Sequence, residues 1–179
     1  MKKAFLILFV LLISNNLHSD ENGEREWVLV SNNSEVKSFV DLNSVKSSGE
    51  IAITKYINLI SWKRPQGEGE KKYYSVQSYI KAQCSQPRKT AIYLLQTYDV
   101  QMEDADVMKG NIVLSLSIND KDLEWFQEIP ESTESKELDL VCAEQEKQWK
   151  ETQKKALKIL NKKGVREKIE ALHKNNLKK

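Results

Sequence analysis

The polar and apolar positions of the chain follow two different periods, and the change comes near Pro130. Before Pro130, short apolar segments alternate in steps of two and are separated by turn residues, which is typical of β-strands. Six such segments are present, and they begin near Trp27, Val36, Ile51, Tyr74, Ala91 and Ile112. Their connections are short, which favours antiparallel pairing. The pattern therefore predicts an antiparallel sheet of about six strands.

Two stretches between the predicted strands carry turn signals. Residues 41–44, with the sequence Asp-Leu-Asn-Ser, are interpreted as the cap of a single helical turn that ends near Gly49. Residues 64–72 contain one proline and two glycines, which mark an exposed loop. The later segment 91–98 is apolar on both faces, which predicts a strand in the interior of the sheet.

The strand that precedes the first cysteine alternates between an apolar and a polar face. Its apolar face consists of Tyr74, Val76, Ile80, Ala82 and Cys84. The other face carries polar side chains such as Gln77 and Lys81. Because successive side chains of a strand point to opposite faces, Cys84 is expected to point inward.

After Pro130 the apolar period becomes that of a helix, with Ser132 as the expected N-cap. The apolar stripe of this segment consists of Leu138, Val141, Cys142, Gln145 and Trp149. Helix-favouring residues dominate, and they predict one helix over residues 132–163. Trp149 is expected to be buried against the sheet, with the residues beyond it progressively more exposed.

The first nineteen residues have the layout of a cleavable secretory signal. Lys2 and Lys3 precede an apolar run at 4–13 and a polar stretch that ends in Ser19. The apolar run is too short to span a bilayer, for which a helix needs about 20 residues. A buried N-terminal element is the alternative. The chain is expected to be exported without residues 1–19. There is no cysteine near the cleavage point, so no lipid anchor is expected. The final location, whether periplasm, cell surface or medium, stays open.

Charge divides the rest of the chain into two parts. Residues 20–142 carry 14 Lys and Arg against 21 Asp and Glu, a net charge of −7. Residues 143–179 carry 12 against 5, a net charge of +7. We interpret residues 20–142 as a folded α+β domain and residues 143–179 as a basic helical extension.

Two cysteines in an exported chain predict one disulfide, with two free buried thiols as the alternative. A bond between Cys84 and Cys142 closes a loop of about 59 residues, which stabilises the fold by about 4 kcal/mol in the chain-entropy estimate. Because Cys142 shares a helical stripe with Leu138, this bond would tether the helix to the apolar face of the sheet.

No recognisable catalytic constellation is present in the sequence. The histidines are His18, in the signal, and His173, in the far tail, which excludes a Ser-His-Asp triad in the domain. Carboxylate pairs at 104/106 and 120/122 are interpreted as solvated loop charges. The chain has no zinc motif, P-loop or dinucleotide fingerprint. We therefore expect no enzyme activity, no cofactor and no metal site.

Two regions are candidates for binding a partner. The first is formed by Trp62, Lys63, Arg64, Lys71 and Lys72, where an indole and basic side chains would suit a protein ligand. The second is the basic tail, which would suit anionic lipid, lipopolysaccharide or a sulfated glycan. The favoured alternative is a helix that packs its apolar stripe on the sheet and leaves its lysines in water. Nucleic acid is not an expected partner of an exported chain.

Four segments, in this order, carry a resemblance to a known family. They are EWVLV (26–30), FVDLNSVKSSGEI (39–51), YYSVQSYIKAQCSQPRKTAIY (73–93) and WFQEIPESTESKELDLVC (125–142). Together with the two cysteines, they make the chain similar to the surface-adhesin protein E family of Gram-negative bacteria.

The resemblance implies a curved antiparallel sheet with a C-terminal helix packed on one face and tied to it by a disulfide. It also implies a non-catalytic binding module, because better-known members bind host matrix or serum proteins at the cell surface. The alternative, favoured by the missing lipid-attachment cysteine, is a periplasmic envelope or assembly factor that binds another bacterial protein. The ligand and the oligomeric state stay open.

Overall fold

The computed structural model describes residues 25–48, 52–101 and 110–161. The strands in these ranges are β1 (Trp27–Asn32), β2 (Val36–Ser47), β3 (Ile53–Gln66), β4 (Tyr73–Gln83), β5 (Lys89–Tyr98), β6 (Ile112–Ser117) and β7 (Phe126–Gln127). The helix α1 covers Thr133–Leu160. The predicted signal peptide, the segment around residues 104–106 and the tail from residue 162 lie outside the described residues. No described helix is long and apolar enough to cross a membrane.

Each strand from β1 to β6 pairs antiparallel with its neighbour in the sequence. β7 pairs with the first residues of β5, at Lys89 and Thr90, while β6 pairs with the last part of β5. β6 and β7 therefore follow one another along the same edge of β5. The predicted antiparallel sheet is confirmed. The short strand β7 was not predicted, because two residues are too few to show an alternating pattern.

The sheet is curved, and the pairing irregularities explain why. All five pairings between β1 and β6 contain a shift of register. Such bulges bend a strand and increase its twist. Trp27 of β1 and Val100, just past β5, pack against the same cluster of Phe39, Leu59 and Tyr98 although three strands separate β1 from β5. The face opposite α1 is therefore the concave one.

Residues 41–44 do not form the predicted helical turn, because they belong to a bulge within β2. Between two regular pairs of the β2–β3 ladder, residues 42–45 of β2 lie opposite Tyr56 alone. Three extra residues are thus accommodated in β2, and the strand bends at this point.

Side-chain hydrogen bonds hold this bulge in place. The buried carboxylate of Asp41 accepts from the backbone N–H of Glu26 at 3.1 Å and of Asn43 at 3.1 Å. The hydroxyl of Ser44 donates to the carbonyl of Asp41 at 2.6 Å and accepts from the N–H of Ile57 at 2.8 Å, where the ladder is interrupted. The helical interpretation was wrong because Asp and Ser satisfy backbone groups in a bulge as well as in a helical turn.

α1 begins where the sequence predicts. The Ser132 hydroxyl accepts from the N–H of Ser135 at 3.0 Å, which satisfies one of the free donors of the first turn. The first half of α1 packs on the convex face of the sheet. The buried cluster there consists of Val40, Val45, Tyr56, Ile80, Ala82, Leu138 and Val141.

The disulfide joins Cys84, just past β4, to Cys142 in the first half of α1, with an S–S distance of 2.07 Å. The bonded residues lie 58 positions apart in the sequence. The predicted tether between the sheet and the helix is confirmed, and it lies beside the cluster that contains Ala82 and Val141.

A charged cluster fixes the start of α1, and nothing in the sequence analysis anticipated it. Arg88 donates to the Glu128 carboxylate through Nε at 2.6 Å and also through Nη2, and to Asp139 of α1 through Nη1 at 2.7 Å. The hydroxyl of Ser135 donates to Glu128 at 2.5 Å. These hydrogen bonds, first of all that from Arg88, lower the pKa of Glu128. The turn before β5 and the segment before α1 are thereby held together.

α1 crosses the convex face from β5 toward β1 and then continues past the sheet. Near the start of α1, the hydroxyl of Thr90 in β5 donates a hydrogen bond to Glu134. One turn later in α1, Glu137 accepts hydrogen bonds from β2 and β3. Four strand spacings of about 4.8 Å amount to about 19 Å, which about 13 helical residues cover. Since α1 has 28 residues, its second half has no strand left to pack on.

The burial expected for Trp149 is therefore wrong, because its side chain is 59% exposed. Every described residue from 149 to 161 is exposed. The predicted single long helix is nevertheless present. It continues without interruption across residues 142 and 143, where the charge of the chain changes sign.

Candidate binding surfaces

The five residues proposed from the sequence as a binding surface lie at the tip of the β3–β4 hairpin. We call Trp62, Lys63, Arg64, Lys71 and Lys72 the hairpin surface. Trp62 packs edge-on against Tyr73 across the hairpin, with ring centroids 6.0 Å apart, and is half-buried. The four basic residues are exposed. Lys63 and Arg64 lie in the last part of β3, where Arg64 pairs with Glu35 at 3.8 Å, and Lys71 and Lys72 directly precede β4. The indole is mainly part of the hairpin's own packing.

The shape of this tip depends on one glycine. Gly67 has a φ of +79°, a backbone conformation that L side chains rarely adopt. A Cβ at this position would lie 2.5 Å from the carbonyl oxygen of Lys71. The tight turn that leads from Gln66 of β3 to Tyr73 of β4 therefore requires glycine at position 67.

A second surface, which the sequence analysis missed, lies at the edge of the sheet. β6 is the last strand of the sheet order, and no other strand of the described residues pairs with its outer side. Ile112, Leu114 and Leu116 are each 52% exposed. β6 contains no proline and no charged residue, which are the features that usually protect a free edge from pairing with another chain.

The apolar edge continues beyond β6 along the same side of β5. Phe126 of β7 is exposed, and so is Ile129, which precedes the first turn of α1. We call Ile112, Leu114, Leu116, Phe126 and Ile129 the edge surface. Large exposed apolar side chains that line one edge of a sheet are a candidate interaction site.

A buried polar cluster lies between α1 and the sheet. The Glu137 carboxylate accepts from the Ser38 hydroxyl at 2.6 Å and from the Asn58 amide at 3.1 Å. Burial raises the pKa of Glu137, and these two hydrogen bonds oppose that rise. Because the cluster is covered by α1, no substrate can reach the carboxylate. We therefore assign Glu137 to the structure of the domain.

The raised pKa of Glu137 predicts a pH-dependent effect of Glu137→Gln. The folded state binds this proton more tightly than the unfolded state, so the stability that the proton provides is present below pH 4.5 and lost as the pH rises through the raised folded pKa. The glutamine amide can still pair with Ser38 and Asn58. The melting temperature of Glu137→Gln relative to wild type should therefore increase from pH 4.5 to pH 7.5.

Glu124→Gln, which removes an exposed carboxylate, serves as the control for general charge effects. Melting curves of the three proteins across this pH range test the prediction. A difference between Glu137→Gln and wild type that stays constant with pH would contradict it.

Among the described residues, no group of three or more His, Cys, Asp and Glu side chains could hold a metal ion. Asp120 and Asp122 lie in a short helical turn between β6 and β7. Asp120 pairs with Lys81 of β4 at 3.1 Å, so it has a structural partner. The carboxylates at 104 and 106 lie outside the described residues.

Comparison with known proteins gives a family match. A sequence model described as "Surface-adhesin protein E" matches residues 27–143. The fold is similar to that of Haemophilus influenzae protein E in crystal form II, at 14% identity and a TM-score of 0.47, over 71% of this chain and 94% of that one. A second structure of Haemophilus influenzae protein E has 14% identity and a TM-score of 0.46, over 71% and 91%. No curated protein matches the chain by sequence.

Proposed function

Because this chain belongs to the surface-adhesin protein E family, we propose that it is an exported, non-catalytic adhesin that binds a host matrix or serum protein. The observation that carries this proposal is the edge surface. A domain that keeps three large aliphatic side chains half-exposed on a free, uncharged strand has a surface suited to another protein.

The edge surface suits an extended segment of the ligand. The outer backbone groups of β6 can pair with a further strand, and backbone hydrogen bonds of this kind supply affinity for an extended peptide. Leu114 and Leu116 alternate along β6 and would contact every second side chain of that strand. Apolar positions in the ligand segment would therefore be favoured at these two sites.

The hairpin surface contributes in a different way. Its four basic residues are exposed, although Arg64 pairs with Glu35 at 3.8 Å. Exposed cations speed the encounter with an acidic ligand more than they tighten the final complex. We propose that the hairpin surface provides attraction and the edge surface provides most of the binding free energy.

Leu114→Lys tests the role of the edge surface. A lysine on β6 places a solvated charge where the ligand strand would pack, so affinity should fall about tenfold or more. The matched control is Leu29→Lys, which makes the same change at a half-exposed leucine of β1, the strand at the opposite edge of the sheet. Binding of the chain from residue 20 onward to a panel of purified matrix and serum proteins is measured by biolayer interferometry at physiological salt.

The outcomes of this experiment are distinct. Loss of binding in Leu114→Lys alone supports the edge surface. Equal binding by both variants, with loss only in Lys71→Glu/Lys72→Glu, assigns the ligand to the hairpin surface. A change from dimer to monomer in Leu114→Lys means that a second copy occupies β6. If no protein of the panel binds and the chain is released with the periplasm, rather than cut by protease on intact cells, the periplasmic alternative replaces the adhesin.

A further inference from the structure

We propose that the exposed end of α1, residues 149–160, is a membrane-docking helix that lies in the headgroup region of an anionic bilayer. We call this segment the projecting helix. All of its residues are exposed, and it contains four large apolar side chains that are about half-exposed. These side chains are Trp149, Leu157, Ile159 and Leu160.

The apolar side chains share one side of the projecting helix. At about 100° per residue, Trp149, Ala156 and Leu160 point within about 20° of one direction. Leu157 and Ile159 point about 80° to either side of that direction. The segment thus has an apolar stripe that nothing in the described part of the chain covers.

The cations lie on the remaining side. Lys150, Lys154, Lys155 and Lys158 all point about 100° or more away from the centre of the stripe. Lys150 pairs with Glu146 at 2.6 Å, but among the described residues no carboxylate pairs with the other three lysines. With Glu151 as its single acidic residue, the projecting helix has a net charge of +3.

An apolar stripe bearing Trp and Leu, with lysines on the opposite side, is the composition of helices that lie in a membrane interface. The apolar side enters the boundary between headgroups and acyl chains, and the long lysine side chains reach back to anionic headgroups. Charge complementarity therefore favours an anionic bilayer over a neutral one.

A second copy of the chain is a poorer occupant of the stripe. A helix pair needs a large apolar residue every three or four positions along its seam. Here positions 152, 153 and 156 are Thr, Gln and Ala, which leaves the middle of the stripe shallow and partly polar. A membrane interface accepts such positions because the helix is only partly immersed in it.

Docking of this kind also orients the domain. The projecting helix leaves the sheet beyond β1, whereas the edge surface lies at β6, the opposite end of the strand order. A domain held to a membrane through α1 therefore keeps its β6 edge on the side of the sheet farther from the contact. This inference does not depend on the proposed ligand of the edge surface.

Co-sedimentation with vesicles tests the proposal. The chain from residue 20 onward should bind vesicles made of an equal mixture of phosphatidylglycerol and phosphatidylcholine. Far less of it should bind vesicles of phosphatidylcholine alone. Leu157→Glu/Leu160→Glu should lower the partition coefficient about tenfold or more, because it places two charges in the apolar stripe. Ser115→Glu/Ser117→Glu, which adds the same two charges at exposed positions of β6, is the control and should bind vesicles like wild type.

Raising the salt to about 0.5 M should weaken binding, since screening reduces the attraction of the lysines. Equal binding to both kinds of vesicle, or unchanged binding by Leu157→Glu/Leu160→Glu, overturns the proposal. So does an oligomer that this variant converts to a monomer, which would identify a second copy as the occupant. Retention on heparin-agarose with no vesicle binding would overturn the proposal and indicate that the lysines bind a sulfated glycan instead.

Discussion

Replacing both cysteines, in Cys84→Ser/Cys142→Ser, should lower the free energy of unfolding by about 2–5 kcal/mol. The bond closes a loop across 58 positions and joins the end of β4 to α1. Without it the unfolded chain gains conformational freedom, and the helix is held only by its packing and by the Arg88 contacts. The melting temperature should fall by about 10–20 °C for a domain of this size.

A reducing agent provides the matched control for this variant. It should lower the melting temperature of wild type to that of Cys84→Ser/Cys142→Ser and leave the variant unchanged. Mass spectrometry of unreduced peptides should find Cys84 crosslinked to Cys142. Two thiols that react with an alkylating agent in the exported, unreduced protein would contradict the prediction.

Leu138→Ala should have a similarly large effect, while Leu157→Ala in the same helix should have almost none. Leu138 is 0% exposed and packs in the cluster with Val40 and Tyr56. Removing its side chain loses apolar burial and leaves a cavity, which costs about 2–5 kcal/mol. Leu157 is 57% exposed, and the same substitution there should change stability by less than about 0.5 kcal/mol.

Chemical denaturation of the two variants compares an identical change at two positions of one helix. Trp149→Ala should behave like Leu157→Ala, since its indole is also outside the core. Equal losses in Leu138→Ala and Leu157→Ala would mean that the second half of α1 packs on the sheet after all.

The features that the sequence predicted correctly are those with a strong local period. Alternation in β4 placed Cys84 on the face that meets α1, and the helical stripe through Leu138 and Cys142 placed the other sulfur opposite it. Two independent periodicities and the chemistry of an exported thiol pair led to the same arrangement. The strand order followed from short connections, which leave antiparallel neighbours as the simplest solution.

The features that the sequence did not reveal depend on where an element ends relative to its neighbours. The apolar stripe of α1 continues to Leu160 without a change of phase. Periodicity therefore could not show that the helix is exposed after Gln148. The same limitation applies to β6, whose alternation predicts a strand but does not reveal whether Leu114 is covered.

The polar residues under α1 were also not revealed by the sequence. Tyr56 and Asn58 occupy the face of β3 that lies under α1, while the more apolar face, with Leu59, belongs to the concave side. A tally of apolar residues therefore selects the wrong face of β3 for the helix. Glu137 completes the polar part of this interface, and its partners are 99 and 79 positions away in the sequence. Pairings over such distances leave no local signal.

The hairpin surface was predicted as a group from one loop and its flanks. Its cations lie on one hairpin because β3 and β4 are adjacent and Gly67 permits the tight turn between them, and Arg64 pairs with Glu35 of the turn before β2. The indole of Trp62 was less predictable, since its contact with Tyr73 depends on the register of the hairpin.

The strand order also determines when the domain can complete itself during export. Each strand from β2 to β6 pairs with the one synthesised just before it, so this part of the sheet can grow by successive local steps as the chain emerges. The helix that covers the apolar convex face comes last. Until Cys142 arrives, Val40 and Ile80 have no cover, and the nascent domain offers both an apolar face and a free β6 edge to other chains. Chaperones that act on exported chains therefore have their clearest target in this interval, which ends when α1 packs on the sheet and the disulfide forms.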